Sequence, residues 1–321
     1  MRTHRAAVLT APRSVAFQRA ALPELAPTRV RVRLEGCGVC GSNLPVWEGR
    51  PWFTYPLAAG APGHEGWGVV DAVGASVSTV REGDRVALLS YNAFAEYDVA
   101  ESDHLVRLPE ALRGRPFPGE ALGCAMNVFR RSEISRGQTV AIVGIGFLGA
   151  LLVSLAASAG ARVVALSRRP FALEIARRMG AAETIAMDDP ARCIGAVLEL
   201  TGGAGCERVI EATGQQQPLD LAGELTAERG RLVVAGYHQD GPRQVNMQLW
   251  NWRGLDVINA HERDPRVYVE GIRAAAEAVA AGTLDPTPLY THRFGLDDLP
   301  RALDAMSDRS GSFLKSVVMY D

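Results

Sequence analysis

The sequence has few cysteines and little net charge. Its 321 residues include five cysteines, and 34 basic residues nearly balance 36 acidic ones, which leaves a formal charge of −2. A sparse, odd-numbered set of cysteines argues against a disulfide framework. The charge balance provides no electrostatic attraction to nucleic acid or to an anionic membrane. We therefore expect neither nucleic acid nor a membrane among the partners.

Long hydrophobic runs are also missing. No stretch approaches the roughly 18 apolar residues of a membrane-spanning helix, and the first residues contain no apolar segment of signal-peptide length. A cytoplasmic location is the expectation. The hydrophobic content of 47% is ordinary for a globular protein, and at about 150 residues per domain the length predicts two domains.

The most informative stretch combines an apolar run with three regularly spaced glycines. The run at 140–143 is followed by Gly144, Gly146 and Gly149, then by a helix of small residues and a second apolar run at 163–166. One glycine serves the tight turn, one lets the backbone approach a pyrophosphate, and one allows close packing of helix on strand. This strand–turn–helix–strand unit predicts a dinucleotide-binding domain.

The end of the second strand bears on the choice of nucleotide. NAD-binding domains of this kind usually carry an acid there, which binds the ribose 2′-hydroxyl. Here Ser167 takes that position and is followed by Arg168 and Arg169. Without the acid a 2′-phosphate is not repelled, and two guanidinium groups can bind it. The pattern favours NADP over NAD, while a solvated basic loop at a helix start is the alternative.

The rest of the chain predicts two domains with different secondary structure. Short strand-like runs separated by Gly, Pro and Asp dominate the first part, whereas strands and helices alternate from about residue 121 to 264. The last strand is expected to return to the first domain. We predict an α/β protein with residues 1–122 and 266–321 in a β-rich catalytic domain and residues 123–265 in a doubly wound parallel-sheet domain.

Three separate segments carry metal-ligand chemistry. Cys40 lies in GCGVCGSN, His64 in PGHEG and Glu120 in GEALGCAMN. A thiolate, an imidazole and a carboxylate suit a four-coordinate zinc site with one position open to water or substrate. Each residue alone has another interpretation, as a buried thiol, a hydrogen-bonded loop histidine or an acid at a helix start.

The order of these motifs resembles a known family. GVCGSN, PGHEGWGVVDAVG, REGDRV, AFAEY, GEALGCAMNVFRR, AIVGIGFLG, VIEATG and GRLVVAGY follow one another as in the zinc-dependent medium-chain dehydrogenase/reductase family, and are most similar to its sorbitol and threonine dehydrogenase branch. The resemblance covers nearly the whole chain. It implies a GroES-like β-barrel catalytic domain, a Rossmann domain and a homodimer or homotetramer.

The resemblance also implies roles for the metal-site residues. Cys40 and His64 match zinc ligands, and Glu65 matches a carboxylate beside the zinc that ligates it or exchanges with water. Glu120 matches the remaining ligand, with Cys124, four residues on, as the alternative. Ser42 matches the hydroxyl that takes the proton of the substrate alcohol.

Three departures from the family pattern concern the same region. Asn43 stands where the family has an aspartate that supports the metal ligands, and Pro45 where many members have a proton-relay histidine. Proton exit is then expected through cofactor ribose and water, or else the enzyme is expected to be slow. No cysteine lies between Cys40 and Cys124, so we expect one catalytic zinc and no structural zinc.

Further residues are assigned to the cofactor and the substrate. Four aromatic residues at positions 47, 52, 53 and 55 either form a substrate wall or pack in the core, and the polar segment 259–264 hints at a polyol, sugar-like or amino-alcohol substrate. The cofactor-binding candidates are Gly144, Gly146, Phe147, Leu148, Gly149, Ser167, Arg168, Arg169, Thr213, Tyr237 and, by resemblance, Lys315 at the pyrophosphate.

The sequence as a whole predicts an enzyme. The first interpretation is a zinc- and NADP-dependent oxidoreductase that interconverts a small secondary alcohol and its ketone, or that acts on an aldehyde. A zinc-free quinone or enone reductase of the same superfamily is the second. A catalytically silent nucleotide-binding protein is the third.

Overall fold

The computed structural model describes residues 2–320 and divides into two compact units. The first unit comprises Met1–Gly123 and Arg263–Asp321, and the second comprises Cys124–Glu262. The second unit is therefore an insertion in the sequence of the first. Within the described residues, no helix is both long enough and apolar enough to cross a membrane.

Fifteen strands lie in the described residues, and the apolar runs at 140–143 and 163–166 each fall within one of them. Both of these strands extend beyond the apolar run by polar residues at their ends. The strands are β1 (Thr3–Ala11), β2 (Ser14–Ala21), β3 (Arg29–Gly38), β4 (Glu65–Val73), β5 (Arg85–Leu88), β6 (Tyr97–Glu101), β7 (Leu105–Arg107), β8 (Thr139–Val143), β9 (Arg162–Ser167), β10 (Glu183–Ala186), β11 (Cys206–Glu211), β12 (Thr226–Val234), β13 (Asp256–Asn259), β14 (His292–Gly295) and β15 (Ser316–Met319).

The α-helices begin where local chemistry satisfies their first backbone N–H groups. Proline occupies the first or second position of five of them, where its missing N–H costs no hydrogen bond. Asp189, Asn246 and Asp264 cap three helices by accepting from backbone nitrogens two or three residues on. The helices are α1 (Leu44–Glu48), α2 (Gly119–Ser132), α3 (Phe147–Ser158), α4 (Pro170–Arg178), α5 (Pro190–Leu200), α6 (Gln216–Leu225), α7 (Met247–Arg253), α8 (Pro265–Ala280) and α9 (Leu299–Asp308).

The first unit is built on β3. This strand pairs with β4, β6 and β15, and the sheet runs in the order β14-β15-β3-β4-β5-β7. The pairing of β15 with β3 confirms that the end of the chain returns to the first domain. β1 and β2 form a hairpin, and Ala6 of β1 bridges to Ala95. A buried core that includes Leu34, Trp47 and Phe94 holds these strands to α9.

The second unit contains a six-stranded parallel sheet. Its strand order is β10-β9-β8-β11-β12-β13, with β8, the first strand in sequence, in the middle. The chain adds β9 and β10 on one side of β8 and β11, β12 and β13 on the other, so the strand order reverses between β8 and β11. That is the doubly wound order of dinucleotide-binding domains, whose ligands bind at the carboxyl ends of the strands beside the reversal. The central strand β8 is buried along Val140–Val143, as expected for a sheet covered on both faces. The predicted α/β class is confirmed.

Candidate metal and nucleotide sites

Cys40 lies on a tight loop directly after β3. A short 3-10 turn, Gly41–Asn43, follows it, and the Asn43 side chain folds back so that its Oδ1 accepts from the Cys40 backbone nitrogen at 2.8 Å. The Asn43 Nδ2 donates to the Pro62 carbonyl at 3.0 Å, and the side chain is buried. Because Asn43 uses an acceptor toward one loop and a donor toward the other, it ties the Cys40 loop to the His64 loop.

His64 is oriented by the same carbonyl. Its Nδ1 lies 2.8 Å from the Pro62 oxygen, which can only accept, so Nδ1 carries the hydrogen. The other ring nitrogen, Nε2, lies 3.3 Å from Ser42 Oγ. Holding one ring nitrogen on a carbonyl is the usual way in which proteins present the other to a metal.

Cys40, His64 and Glu65 form a compact group of metal-ligand type. One ligand atom from each lies within 4.8 Å of the others. Among residues 2–320, this is the group of at least three His, Cys, Asp or Glu side chains whose ligand atoms are close enough together to hold a metal ion. Burial alone would lower the pKa of His64, but the hydrogen bond and charge of Cys40, with the charges of Glu120 and Glu65, raise it to about 10. Surroundings that favour a positive charge so strongly also suit a divalent cation.

Glu65 is the first residue of β4 and is completely buried. Its Oε1 accepts from Lys315 Nζ at 2.7 Å, and its Oε2 lies 2.6 Å from the same nitrogen. Gly38, opposite Glu65 in the β3–β4 ladder, makes room for the carboxylate, because a Cβ there would lie 1.7 Å from Oε2. The carboxylate therefore occupies space that only a glycine leaves open.

Lys315 is only 3% exposed. Burial acts to lower its pKa, but the charges of Glu65 and Cys40 and the hydrogen bond to Glu65 raise it, so the side chain stays charged. The structure thus gives Lys315 a partner other than the pyrophosphate that the resemblance implies. The physical reason is that a fully buried carboxylate requires a counter-charge nearby.

Glu120 lies in the first turn of α2, outside the compact group but on a cavity that it shares with His64. The cavity has a volume of about 230 Å³, and Ser90, His104 and Arg263 contribute to its wall. Cys124, the alternative ligand, lies one helical turn further along α2 and does not line the cavity.

The four aromatic residues near Cys40 do not line this cavity. Trp47 is buried in the core and donates to Asp304 at 2.9 Å, while Phe53 and Tyr55 pack against the same core. Trp52 is 57% exposed. Of the two interpretations of this stretch, core packing applies to three of the four residues. Part of the cavity wall comes from segments that the sequence analysis did not single out, at Leu89–Ser90 and His104, while Arg263 belongs to the polar segment 259–264 that it did single out.

The glycine turn in the second unit has the three predicted geometries. Gly144 has φ +102, a conformation that L side chains rarely adopt. A Cβ at Gly146 would have no other atom within 4 Å, so the backbone there is open to approach. At Gly149 a Cβ would lie 2.1 Å from the Gly144 carbonyl, which is the close helix–strand packing expected there. Phe147 and Leu148, which lie between Gly146 and Gly149, are the first two residues of α3.

Ser167 ends β9, and Arg168 and Arg169 follow it, but the three residues have different surroundings. Ser167 is buried, and its Oγ accepts from the Arg169 backbone nitrogen at 3.3 Å. The Arg169 guanidinium donates to the Ile145 carbonyl inside the glycine turn at 3.1 Å. Arg168 is exposed. One arginine therefore braces the turn, and the other extends into solvent.

A buried carboxylate organises the strand ends around Thr213 and Tyr237. Glu211 Oε1 accepts from the backbone nitrogens of Thr213 and Gly214 at 2.6 and 2.8 Å, and Oε2 lies 3.0 Å from His238 Nε2. Thr213 also donates its hydroxyl to Glu211. Tyr237 is 56% exposed and its ring stacks on His261. Sequence reasoning singled out Thr213 and Tyr237 but missed Glu211, which holds both loops.

Comparison with known proteins agrees with these geometries. The family described as alcohol dehydrogenase GroES-like domain matches residues 26–110, and the zinc-binding dehydrogenase family matches residues 148–277. The chain is 24% identical to L-threonine 3-dehydrogenase of Bacillus subtilis, over 93% of both chains. It is 27% identical to sorbitol dehydrogenase of Rattus norvegicus, over 98% of this chain and 95% of the relative.

A solved structure supports the same assignment. A protein of Sinorhizobium meliloti described as a zinc-binding dehydrogenase, bound to NADP, superposes with a TM-score of 0.84 at 25% identity, over 99% of this chain and 100% of the other. The GroES-like and Rossmann assignments are thereby confirmed. The chain belongs to the zinc-type medium-chain alcohol dehydrogenase family, and it is an alcohol dehydrogenase.

Proposed function

We propose that the protein transfers hydride between NADP(H) and a small secondary alcohol or its ketone, or between NADP(H) and an aldehyde or its primary alcohol, at a single catalytic zinc. The observation that carries the proposal is the compact group of Cys40, His64 and Glu65 beside a cavity that Glu120 also lines. The described structure offers no second compact group for a structural zinc. A soft thiolate, an imidazole and a carboxylate are a zinc donor set with room for one more ligand.

We assign the ligands to Cys40, His64 Nε2 and Glu120, with Glu65 as an exchanging carboxylate. The charge of Glu65 is already balanced by Lys315 at 2.7 Å, whereas Glu120 lies on the cavity side, where the substrate oxygen would enter. Bound zinc would lower the pKa of an alcohol oxygen or polarise a carbonyl. Lys315 is then a positioning residue of the metal site.

The Ser42 hydroxyl is suited to receive the alcohol proton. It lies 3.3 Å from His64 Nε2, close to the predicted position of the substrate oxygen. Pro45, in the first turn of α1, has no group that could relay the proton onward. With a nucleotide bound, its ribose or water would have to take the proton from Ser42.

The arginines after β9 support NADP as the preferred nucleotide. Arg168 is exposed, and a buried serine replaces the usual acid at Ser167, so a 2′-phosphate would meet positive charge and no carboxylate. The Sinorhizobium relative is bound to NADP. Preference for NADP then comes from Arg168, while Arg169 holds the glycine turn that binds either nucleotide.

Turnover assays with matched variants test this proposal. Zinc-loaded protein is incubated with NADP or NAD and secondary alcohols, including polyols, and separately with NADPH and quinones. We expect NADP-linked alcohol oxidation by the wild-type protein, and Glu120→Gln should reduce it at least tenfold. Glu110→Gln is the control and should leave it unchanged, because Glu110 is an exposed carboxylate paired with Arg113. Quinone reduction by zinc-free protein would favour the zinc-free reductase. Nucleotide binding without any turnover would favour the silent protein.

A further inference from the structure

The cavity beside His64 carries a permanent positive charge on its wall. Arg263, which follows β13 and precedes α8, lines this cavity together with Tyr268 from the first turn of that helix. His64 and Glu120 line the same cavity. Arg263 and the two metal-site residues therefore line one space.

The proposed ligand set supplies the negative charges for a bound zinc. The Cys40 thiolate and Glu120 would together neutralise a divalent zinc in that set. Glu65 is neutralised by Lys315. A guanidinium has five N–H donors, so Arg263 can keep its contacts within the protein and still donate to a ligand. An anionic substrate would be stabilised by this charge, whereas a neutral substrate would gain little from it.

The volume limits what this anion can be. About 230 Å³ is less than the roughly 300–1,000 Å³ of sites that hold drug-sized ligands. A guanidinium matches a planar carboxylate with two parallel hydrogen bonds. A phosphate ester carries nearly two charges and would call for more than one arginine.

We propose that the substrate is a small hydroxycarboxylate, or the matching oxo acid, whose carboxylate is bound by Arg263 while its hydroxyl or carbonyl oxygen lies toward His64 and Glu120. This inference rests on the proposed function, because it names the substrate class of the same site. Tyr268 supplies a phenol hydroxyl on the same wall. In this role Arg263 sets specificity through charge and geometry.

The test compares substrates that differ only in charge. Zinc-loaded wild-type protein, Arg263→Gln and Arg263→Lys are assayed with 3-hydroxybutanoate and with 3-hydroxybutanamide. Arg266→Gln is the matched control, because this arginine lies on the same segment but pairs with Asp264 and does not line the cavity. We expect wild type to prefer the acid, and Arg263→Gln to lower kcat/KM for the acid by about tenfold or more. The amide should change less than twofold, and Arg263→Lys should recover part of the loss.

Binding of a non-reacting anion gives an independent readout. Propanoate and propanamide are titrated calorimetrically into the same proteins, and propanoate affinity should depend on Arg263. Wild-type preference for the amide, or equal losses for both substrates in Arg263→Gln, would overturn the proposal. If no substrate turns over and the protein binds no zinc, the proposed function fails, and the propanoate titration then decides alone. If Arg263→Gln binds propanoate more weakly than wild type does, the anion site is supported. If the two proteins bind propanoate equally, the anion site is refuted.

Discussion

Asn43 donates its side-chain amide to the Pro62 carbonyl at 3.0 Å, and this bond joins the two loops that carry the metal-site cysteine and histidine. The same carbonyl accepts from His64 Nδ1 at 2.8 Å. Asn43 also accepts from the Cys40 backbone at 2.8 Å. An aspartate could make the last bond but not the first, since an ionised carboxylate has no hydrogen to donate. The asparagine is therefore an integral part of this site.

Asn43→Asp should weaken zinc binding. The carboxylate would face the Pro62 oxygen without a proton between them, and the orientation of His64 would be lost. Replacing residues that hold metal ligands typically costs 10- to 100-fold in metal affinity, and we expect a loss in that range by chelator competition. Asn246→Asp, at the N-cap of α7 where aspartate is equally suitable, is the control. Unchanged zinc affinity in Asn43→Asp would show that the bond between the loops has no role.

Lys315→Met should destabilise the first unit by leaving Glu65 charged and buried. Removal of one partner of a buried ion pair typically costs about 3–5 kcal/mol. Thermal unfolding of the metal-free protein measures the loss. The double variant Lys315→Met with Glu65→Gln should recover much of it, because no unpaired charge remains. A double variant less stable than Lys315→Met would contradict this interpretation of the pair.

The two arginines after β9 should have separable effects on the nucleotides. Arg168→Ala should weaken NADP binding by about tenfold or more and leave NAD unchanged, because one charge-assisted contact to the 2′-phosphate is lost. Arg169→Ala should weaken both nucleotides, because its bond to Ile145 braces the glycine turn. Titration of each nucleotide by fluorescence checks both, with Arg178→Ala, exposed on α4 and paired with Glu174, as control. Equal losses of both nucleotides in Arg168→Ala would contradict the NADP assignment.

Alkylation should distinguish Cys40 from the buried thiols. Burial raises the pKa of Cys206 to about 12 and that of Cys37 well above its usual value. At pH 7 these thiols stay protonated, and the thiolate is the reactive form. Peptide mapping should find Cys40 alkylated in metal-free protein and protected by zinc, with Cys37 and Cys206 unmodified in both. Alkylation of Cys40 at equal rates with and without zinc would argue against its role as a ligand.

Local patterns predicted the nucleotide domain well because its evidence is contiguous. A strand, three glycines, a helix and a second strand lie within about 30 residues, and the geometry of Gly144, Gly146 and Gly149 follows from that spacing. The different surroundings of Arg168 and Arg169 could not be predicted in this way. They depend on which guanidinium reaches the Ile145 carbonyl.

The metal site shows where sequence reasoning stops. Residue types named Cys40, His64 and Glu120, and the family resemblance added Glu65. The pairing of β3 with β4 brings Cys40, His64 and Glu65 together. The bond from Asn43 to Pro62, and that from Lys315 to Glu65 250 positions away, join segments that no local pattern connects. The cluster of aromatic side chains at residues 47–55 indicated a hydrophobic surface, but composition alone could not say that most of it belongs to the core.

The zinc content of the purified chain tests the central claim most directly. Elemental analysis of wild type, Cys40→Ala and Cys124→Ala, each dialysed against the same buffer, compares the assigned ligand with a cysteine on the metal-site helix that does not line the cavity. We predict one zinc per chain in wild type and in Cys124→Ala, and less than a tenth of that in Cys40→Ala. Zinc retained in full by Cys40→Ala, or absent from the wild-type chain after growth in zinc-rich medium, would contradict the account.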